Sequence, residues 1–135
     1  VSREAARLTG CKNFSKARRI DAHTVEAEEW GVTLTTQQEI PEYTKYIGYR
    51  AHDFVPVWNA ERTGKDQPDN GDGSPRNMLP FDLESSAELP FEQNYYIKAK
   101  VTVCWFVQRE RLQELEEKGM PDYLAFDEKK LLFLR

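Results

Sequence analysis

The chain has 135 residues, of which 39% are hydrophobic and 31% are charged, and its 19 basic and 23 acidic side chains give a net charge of −4. This length suits one domain of ordinary size or two small subdomains that share a core. The negative balance lacks the electrostatic footprint of a general nucleic-acid binder, so no nucleic-acid partner is expected. No apolar run reaches the roughly 18 residues of a membrane-spanning helix, and the first residues lack the apolar region of a secretory signal, which predicts a cytoplasmic protein.

Residues 1–12 predict a short helix, because a capping-type Ser2 precedes helix-forming residues and Gly10 stands where a helix would stop. A helix of about seven residues is marginal by itself in water. We therefore expect residues 1–12 to be a linker helix that continues from an upstream domain, and the chain to be the C-terminal part of a larger protein.

From Asn13 the hydrophobic period changes to two, which indicates strands. Short apolar runs between turn residues predict about ten of them, at 13–20, 24–27, 32–35, 46–50, 55–58, within 77–91, and at 95–101, 103–107, 123–126 and 130–134. Many short strands with regular turn signals are typical of sandwiches and barrels. Ten strands are too many for one five-stranded barrel, so residues 13–135 are expected to be mainly β, in two small antiparallel barrels.

Two segments interrupt this pattern. Residues 61–76 are rich in Gly, Pro, Asp and Asn with almost nothing apolar to bury, and they predict a mobile loop. The segment from Gln108 to Lys118 places Leu112 and Leu115 on one face among charged residues, and Gly119 would end it. It predicts one short amphipathic helix near the C-terminus.

The chain carries no recognisable catalytic or metal-binding motif. Gly-Lys-Asp at 64–66 follows no strand and opens no helix, unlike a phosphate-binding loop. His23 and His52 lie far apart, and neither has metal-ligand spacing to the other or to either cysteine. We expect no enzymatic activity, no cofactor and no metal site.

The best candidate for ligand binding is the stretch that follows the strand at 46–50. There Arg50 supplies a fixed cation and His52 an imidazole, and both can hold an anion through charge-assisted hydrogen bonds. The alternative is that Arg50 pairs with a neighbouring carboxylate and His52 packs at the strand end. Lys98 is a third candidate, since it is predicted to lie on a strand that can neighbour theirs.

Several stretches together resemble one family, the molybdate-type ABC transporter ATPases, in the region behind their nucleotide-binding domain. They cover nearly the whole chain in the same order: Ala6-Arg-Leu-Thr-Gly-Cys-Lys-Asn13, Glu29-Trp-Gly-Val-Thr-Leu34, Ile47-Gly-Tyr-Arg-Ala-His-Asp-Phe54, Leu89-Pro-Phe-Glu92 and Leu131-Leu-Phe-Leu134. The third is similar to the family pattern Gly-Ile-Arg-Ala-His-His. Tyr49 and Asp53 depart from that pattern, and Asp53 adds a negative charge beside any anion.

The resemblance implies an accessory domain of the transport-associated OB (TOBE) type, built from OB-like barrels. It implies pairing with the same domain of a second ATPase subunit, an ATPase domain upstream, and a place at the inner face of the membrane reached only through the permease. It also implies that Arg50, His52 and Lys98 would contact molybdate, tungstate or sulfate. In such a role the domain regulates the transporter and performs no hydrolysis itself.

Two other functions stay open at this point. The domain can stabilise an ATPase dimer without any ligand. It can also be an OB-fold oligonucleotide binder, which needs basic residues interleaved with exposed aromatic side chains. Tyr95, Tyr96, Lys98 and Lys100 show that alternation, although an ordinary half-buried strand explains it as well.

Overall fold

The structure is a computed structural model that describes residues 13–59 and 76–135. The linker helix expected at 1–12 lies outside the described residues. So does the predicted loop at 61–76, apart from Arg76, which stands in a turn.

Eleven strands and one α-helix form the described part of the chain. In chain order they are β1 (Asn13–Asp21), β2 (Thr24–Ala27), β3 (Val32–Thr35), β4 (Tyr46–Tyr49), β5 (Val55–Val57), β6 (Met78–Pro80), β7 (Leu83–Glu88), β8 (Glu92–Ile97), β9 (Val103–Gln108), α1 (Arg109–Lys118), β10 (Tyr123–Ala125) and β11 (Leu132–Leu134). A short 3-10 turn, Glu128–Lys130, precedes β11.

The largest sheet has five strands in the order β11-β4-β1-β2-β3. Its first two hairpins, β1–β2 and β2–β3, join strands that are consecutive in the chain. The β1–β2 turn is fixed by the Asp21 carboxylate, which accepts a hydrogen bond of 2.8 Å from the His23 backbone N–H. The β2–β3 turn ends at Gly31, whose φ of 72° is a left-handed conformation that glycine adopts without steric cost. Residues distant in sequence complete the sheet, because β4 pairs with both β1 and β11.

Two smaller sheets have three antiparallel strands each, in the orders β5-β10-β6 and β7-β8-β9. Helix α1 follows β9 directly and packs over β8 and β9. The β7-β8-β9 sheet is tied to the five-stranded sheet along β9. There the Phe106 N–H donates to the Ala51 carbonyl at 3.0 Å, and the Asn13 amide bonds both the N–H and the carbonyl of Cys104 at 2.8 Å.

One continuous apolar core joins the three sheets. At its centre the rings of Trp30, Tyr49 and Phe54 surround Phe126, with centroid separations of 4.9 to 5.3 Å. Aromatic pairs at such distances add to the stabilisation that comes from burying their area. The four residues belong to distant segments, so this cluster closes the fold.

The expectation of a mainly β chain with one helix near its C-terminus is confirmed, and the helix begins at Arg109, one residue after the predicted start. Across residues 13–59 and 76–135 none of the three sheets closes into a barrel. The extended stretch 77–91 is divided between two sheets as β6 and β7. Within the same ranges, no helix is both long and apolar enough to cross a membrane.

Candidate functional site

The segment that carries Arg50 and His52 is a turn at the end of β4. The Asp53 N–H donates to the Arg50 carbonyl at 3.0 Å, which closes the turn, and the Ala51 carbonyl accepts from Phe106 in β9. The turn is therefore fastened to the edge of a second sheet. His52 consequently stands above the junction between the two sheets.

His52 is held by two contacts from the β8–β9 pair. Its Nε2 lies 3.1 Å from Oε2 of Glu92, and its ring meets the ring of Phe106 edge to face at a centroid distance of 5.3 Å. Glu92 and Phe106 come from neighbouring strands of one sheet, in which Glu92 pairs with Gln108 and Asn94 with Phe106. The imidazole is thus positioned by packing as well as by a carboxylate.

A small hollow of about 100 Å³ opens beside this histidine. The side chains that line it are His52, Phe106, Gln108 and Arg111. Gln108 is the N-cap residue of α1 and makes no side-chain capping bond there, while Arg111 lies in the first helical turn. The hollow therefore opens at the N-terminal end of a ten-residue helix.

The charges around the hollow favour an anion in one respect and oppose it in another. Arg111 is exposed and permanently charged, and the N-terminus of a helix carries a partial positive charge with N–H groups that lack intrahelical partners. The Glu92 carboxylate, in contrast, occupies the acceptor position at His52. An anion that binds His52 must therefore replace Glu92 as its hydrogen-bond partner.

The two other sequence-predicted residues lie outside this hollow. Arg50 is exposed at the start of the turn, is not one of the lining side chains, and makes no ion pair within residues 13–59 and 76–135. Lys98 directly follows β8, which ends at Ile97, before the predicted end at residue 101. At about 3.3 Å per residue of strand, Lys98 lies roughly 20 Å along the chain from Glu92. The structure brings Arg50 and His52 to one turn but separates Lys98 from them.

Asp53 is not among the side chains that line the hollow. Its carboxylate Oδ1 lies 3.8 Å from Lys130 Nζ, and its carbonyl accepts a hydrogen bond of 2.8 Å from the Tyr49 hydroxyl. The charge at the position that departs from the family pattern is thereby balanced by a lysine of the 3-10 turn. The departure at Tyr49 has a structural role, since its hydroxyl also accepts a bond of 2.8 Å from the Asp127 N–H.

A buried amide lies on the same face of the sheet as Glu92. Asn94 is 8% exposed, and its Oδ1 has no hydrogen-bond partner in the described part of the chain. An unsatisfied buried acceptor is costly and needs a donor such as water. A fully ionised oxyanion has no proton to donate, so it cannot satisfy the Asn94 Oδ1 acceptor.

Sequence reasoning missed Glu92, Gln108 and Arg111. Glu92 lies 40 residues from His52 in the chain. Only the pairing of β8 with β9 and the docking of the turn on β9 bring them together. The helix start at Gln108 is the one sequence signal that pointed to this place, because helix N-termini attract anions.

The described residues hold no group of three or more His, Cys, Asp or Glu side chains that could bind a metal ion. Tyr95 and Tyr96, which the oligonucleotide hypothesis needs on an exposed face, are buried and half-buried respectively. Tyr95 packs on Trp105 with centroids 5.2 Å apart. Residues 95–100 therefore do not form a row of exposed rings.

Comparison with models of known protein families and with curated proteins found no match for this chain. The resemblance to molybdate-type transporter ATPases is carried by the residues quoted above and stays a prediction.

Proposed function

We propose that this chain is the C-terminal accessory domain of the ATP-binding subunit of an ABC importer, and that it binds a tetrahedral oxyanion in the hollow beside His52. Molybdate, tungstate and sulfate are the anions to consider. The arrangement that supports the proposal is the meeting of His52, Arg111 and Gln108 at the N-terminus of α1. Each of these groups can donate a hydrogen bond to an anion.

The wider parts of the proposal rest on the resemblance. The five-stranded sheet would form one OB-like subdomain, and the β7-β8-β9 sheet with α1 would form the other. The domain would pair with the same domain of a second subunit, follow an ATPase domain in the parent chain, and lie in the cytoplasm beside the permease. It would have no catalytic role of its own.

Binding at His52 offers a simple route to regulation. The anion replaces Glu92 at the imidazole, and Glu92 is also the residue whose carbonyl accepts the Leu89 N–H bond of 2.9 Å that closes the β7–β8 hairpin. A ligand shifts a conformational equilibrium only through different affinities for the two states. Here the two states would differ in whether Glu92 is held by His52.

Isothermal titration of the chain with the three anions tests the proposal. At least one should bind, and Arg111→Ala should weaken it about tenfold or more, because a hydrogen bond to a charged group contributes roughly 1.5–3 kcal/mol. Glu92→Gln should bind more tightly than the natural chain, since it removes the competing carboxylate. Lys98→Ala is the matched control, because it also removes one exposed cation but lies far from the hollow.

The proposed site is wrong if Lys98→Ala weakens binding as much as Arg111→Ala does. If none of the three anions produces heat with either the natural chain or Glu92→Gln, the sensing role is wrong altogether. That second result would favour the other candidate, a structural module that stabilises an ATPase dimer without a ligand. The observation in its favour is the 3.1 Å contact by which Glu92 already satisfies His52.

A further inference from the structure

A second concave surface lies on the opposite face of the β7-β8-β9 sheet. It is a hollow of about 370 Å³ between α1 and the hairpin, and its floor is apolar, formed by Tyr95, Leu112 and Leu115. Met120, which is 46% exposed, borders it beyond the end of the helix. We call this surface the α1 groove. It is separate from the hollow at His52.

The groove exists because α1 is narrower than the sheet beneath it. The helix packs over β8 and β9, whereas β7 is exposed at every position except the half-buried Ala87. Helices pack side by side at 8–10 Å, about the spacing of two strands. The uncovered strand β7 is about half that width, so a further helix would lie over β7 and extend past the edge of the sheet.

The hairpin tip beside the groove carries Phe91, whose side chain is 85% exposed. Phe91 precedes β8, and the Arg109 N–H donates to its carbonyl at 3.3 Å, which continues the ladder between β8 and β9. Because Arg109 lines the groove, this bond places the backbone of Phe91 at the end of the groove. Exposed aromatic residues next to an apolar pocket are the usual anchors of protein interfaces.

The rim of the groove is acidic. Glu88 borders it on the strand side and Glu116 on the helix side, and Glu84 lies further along β7. Arg109 is the cation that lines it, and this guanidinium is already engaged by Glu88 at 3.6 Å and by the carbonyls of Leu89 and Pro90. Glu116 makes no ion pair with the residues that the structure describes. The rim thus favours a basic occupant.

We propose that the α1 groove binds a basic amphipathic helix of another protein, which would lie beside α1 and across β7. Its apolar residues would contact Phe91, Tyr95 and Met120, and its lysine or arginine residues would face Glu88 and Glu116. A second copy of this chain is a poorer occupant, because a two-fold contact brings the same acidic rim against itself.

A designed peptide of about 14 residues, roughly four helical turns, serves as the probe. It carries leucine at every third or fourth position, lysine on both flanks and a fluorescent label, and a second peptide has glutamate in place of each lysine. Fluorescence anisotropy with the full chain should show saturable binding of the lysine peptide, and binding of the glutamate peptide weaker by about tenfold or more.

Paired variants locate the binding. Glu116→Lys should weaken the lysine peptide about fivefold or more, whereas Glu117→Lys, which makes the same change on the same helix outside the groove lining, should change it less than about twofold. Phe91→Ser should weaken it about tenfold. Ile20→Ser is its control, because Ile20 is a 50% exposed apolar residue on β1. Unfolding curves of all four variants check that the fold is retained.

Three results would overturn the proposal. Equal binding of the two peptides would show that the surface has no preference for a basic occupant. Equal effects of Glu116→Lys and Glu117→Lys would show that the peptide does not bind in the α1 groove. Sedimentation that shows a dimer of the natural chain and a monomer of Phe91→Ser would identify the occupant as a second copy. These measurements do not involve an oxyanion, so they are independent of the function proposed above.

Discussion

Two asparagine side chains form the pair of hydrogen bonds that a neighbouring strand would otherwise form with one residue of a sheet edge. The Asn13 amide bonds the N–H and the carbonyl of Cys104, and the Asn77 amide bonds the N–H and the carbonyl of Thr35 at 2.7 and 2.9 Å. Asn77 has a φ of 62°, a left-handed conformation that asparagine tolerates better than most residues. Each amide satisfies backbone groups at a sheet edge, and so joins elements that share no regular ladder.

Tyr49 is the residue whose ionisation should be most visible in the stability of the protein. Burial raises the pKa of its hydroxyl to about 12, only partly offset by the hydrogen bond from the Asp127 N–H. The folded protein therefore holds this proton more tightly than the unfolded chain, in which the pKa is about 10. The stability that depends on the proton is complete below pH 10 and is lost as the pH rises toward 12.

Tyr49→Phe tests this assignment. It removes a donor to the Asp53 carbonyl and an acceptor for the Asp127 N–H, which should lower the free energy of unfolding at pH 7 by roughly 1–3 kcal/mol. The fall in stability between pH 10 and 12 should become shallower in the variant. Urea unfolding at several pH values measures both effects, with the exposed Tyr43→Phe as control. An unchanged alkaline slope in Tyr49→Phe would contradict the assignment.

At the scale of the element, the first residue of helix α1, Arg109, holds the tip of the β7–β8 hairpin in place. The Arg109 guanidinium donates to the carbonyls of Leu89 and Pro90 and lies 3.6 Å from a carboxylate oxygen of Glu88. Its backbone N–H donates a hydrogen bond to the Phe91 carbonyl. The hairpin tip is thus attached to the start of the helix that separates the two hollows.

Arg109→Leu should loosen that tip without unfolding the domain. We expect amide hydrogen exchange at residues 88–92 to become about tenfold faster, because two hydrogen bonds and an exposed ion pair are lost there. Exchange in β1 to β3 should not change. Arg111→Leu, two residues further along the helix, should leave the tip as it is. Equal acceleration throughout the chain would mean that Arg109 stabilises the whole fold instead.

The helix and most strands could be predicted because they depend on the local spacing of hydrophobic residues and on the glycine, proline and turn residues that end each element. Leu112 and Leu115 with Gly119 define α1, and the first three strands follow alternation and turn residues. The end of β8 could not be read in this way, because Lys98 to Thr102 continue the pattern although pairing stops where Ile97 meets Val103. That error placed Lys98 on a strand beyond its true end.

The turns between β1, β2 and β3 indicated that these neighbours pair, but the pairing of strands distant in the chain could not be predicted from the sequence. Period-two alternation identifies a strand but not its neighbour, so neither the position of β10 between β5 and β6 nor the pairing of β11 with β4 was predictable. The candidate site shares this limit. The chemistry of its side chain makes His52 a candidate from the sequence alone, whereas Glu92, Gln108 and Arg111 reach it only through strand pairing and the docking of a turn on β9.

At the scale of the whole molecule, the β7-β8-β9 sheet with α1 presents a different surface on each face. One face has the hollow at His52 with Arg111, and the other has the acidic α1 groove, with Phe91 at the hairpin tip beside it. Glu92 and Phe91 are adjacent in the chain, so the two surfaces meet at the hairpin tip. Under the two proposals, a bound anion would alter contact with a partner through this tip.

The most direct test of this account is an amide chemical-shift titration of the isotope-labelled chain with molybdate, tungstate and sulfate. Binding at the hollow predicts that the shifts concentrate at residues 51–53, at Glu92 and at 106–111, and that Arg111→Ala abolishes them. Shifts concentrated at 98–102, or no shifts with any of the three anions, would contradict the proposed site.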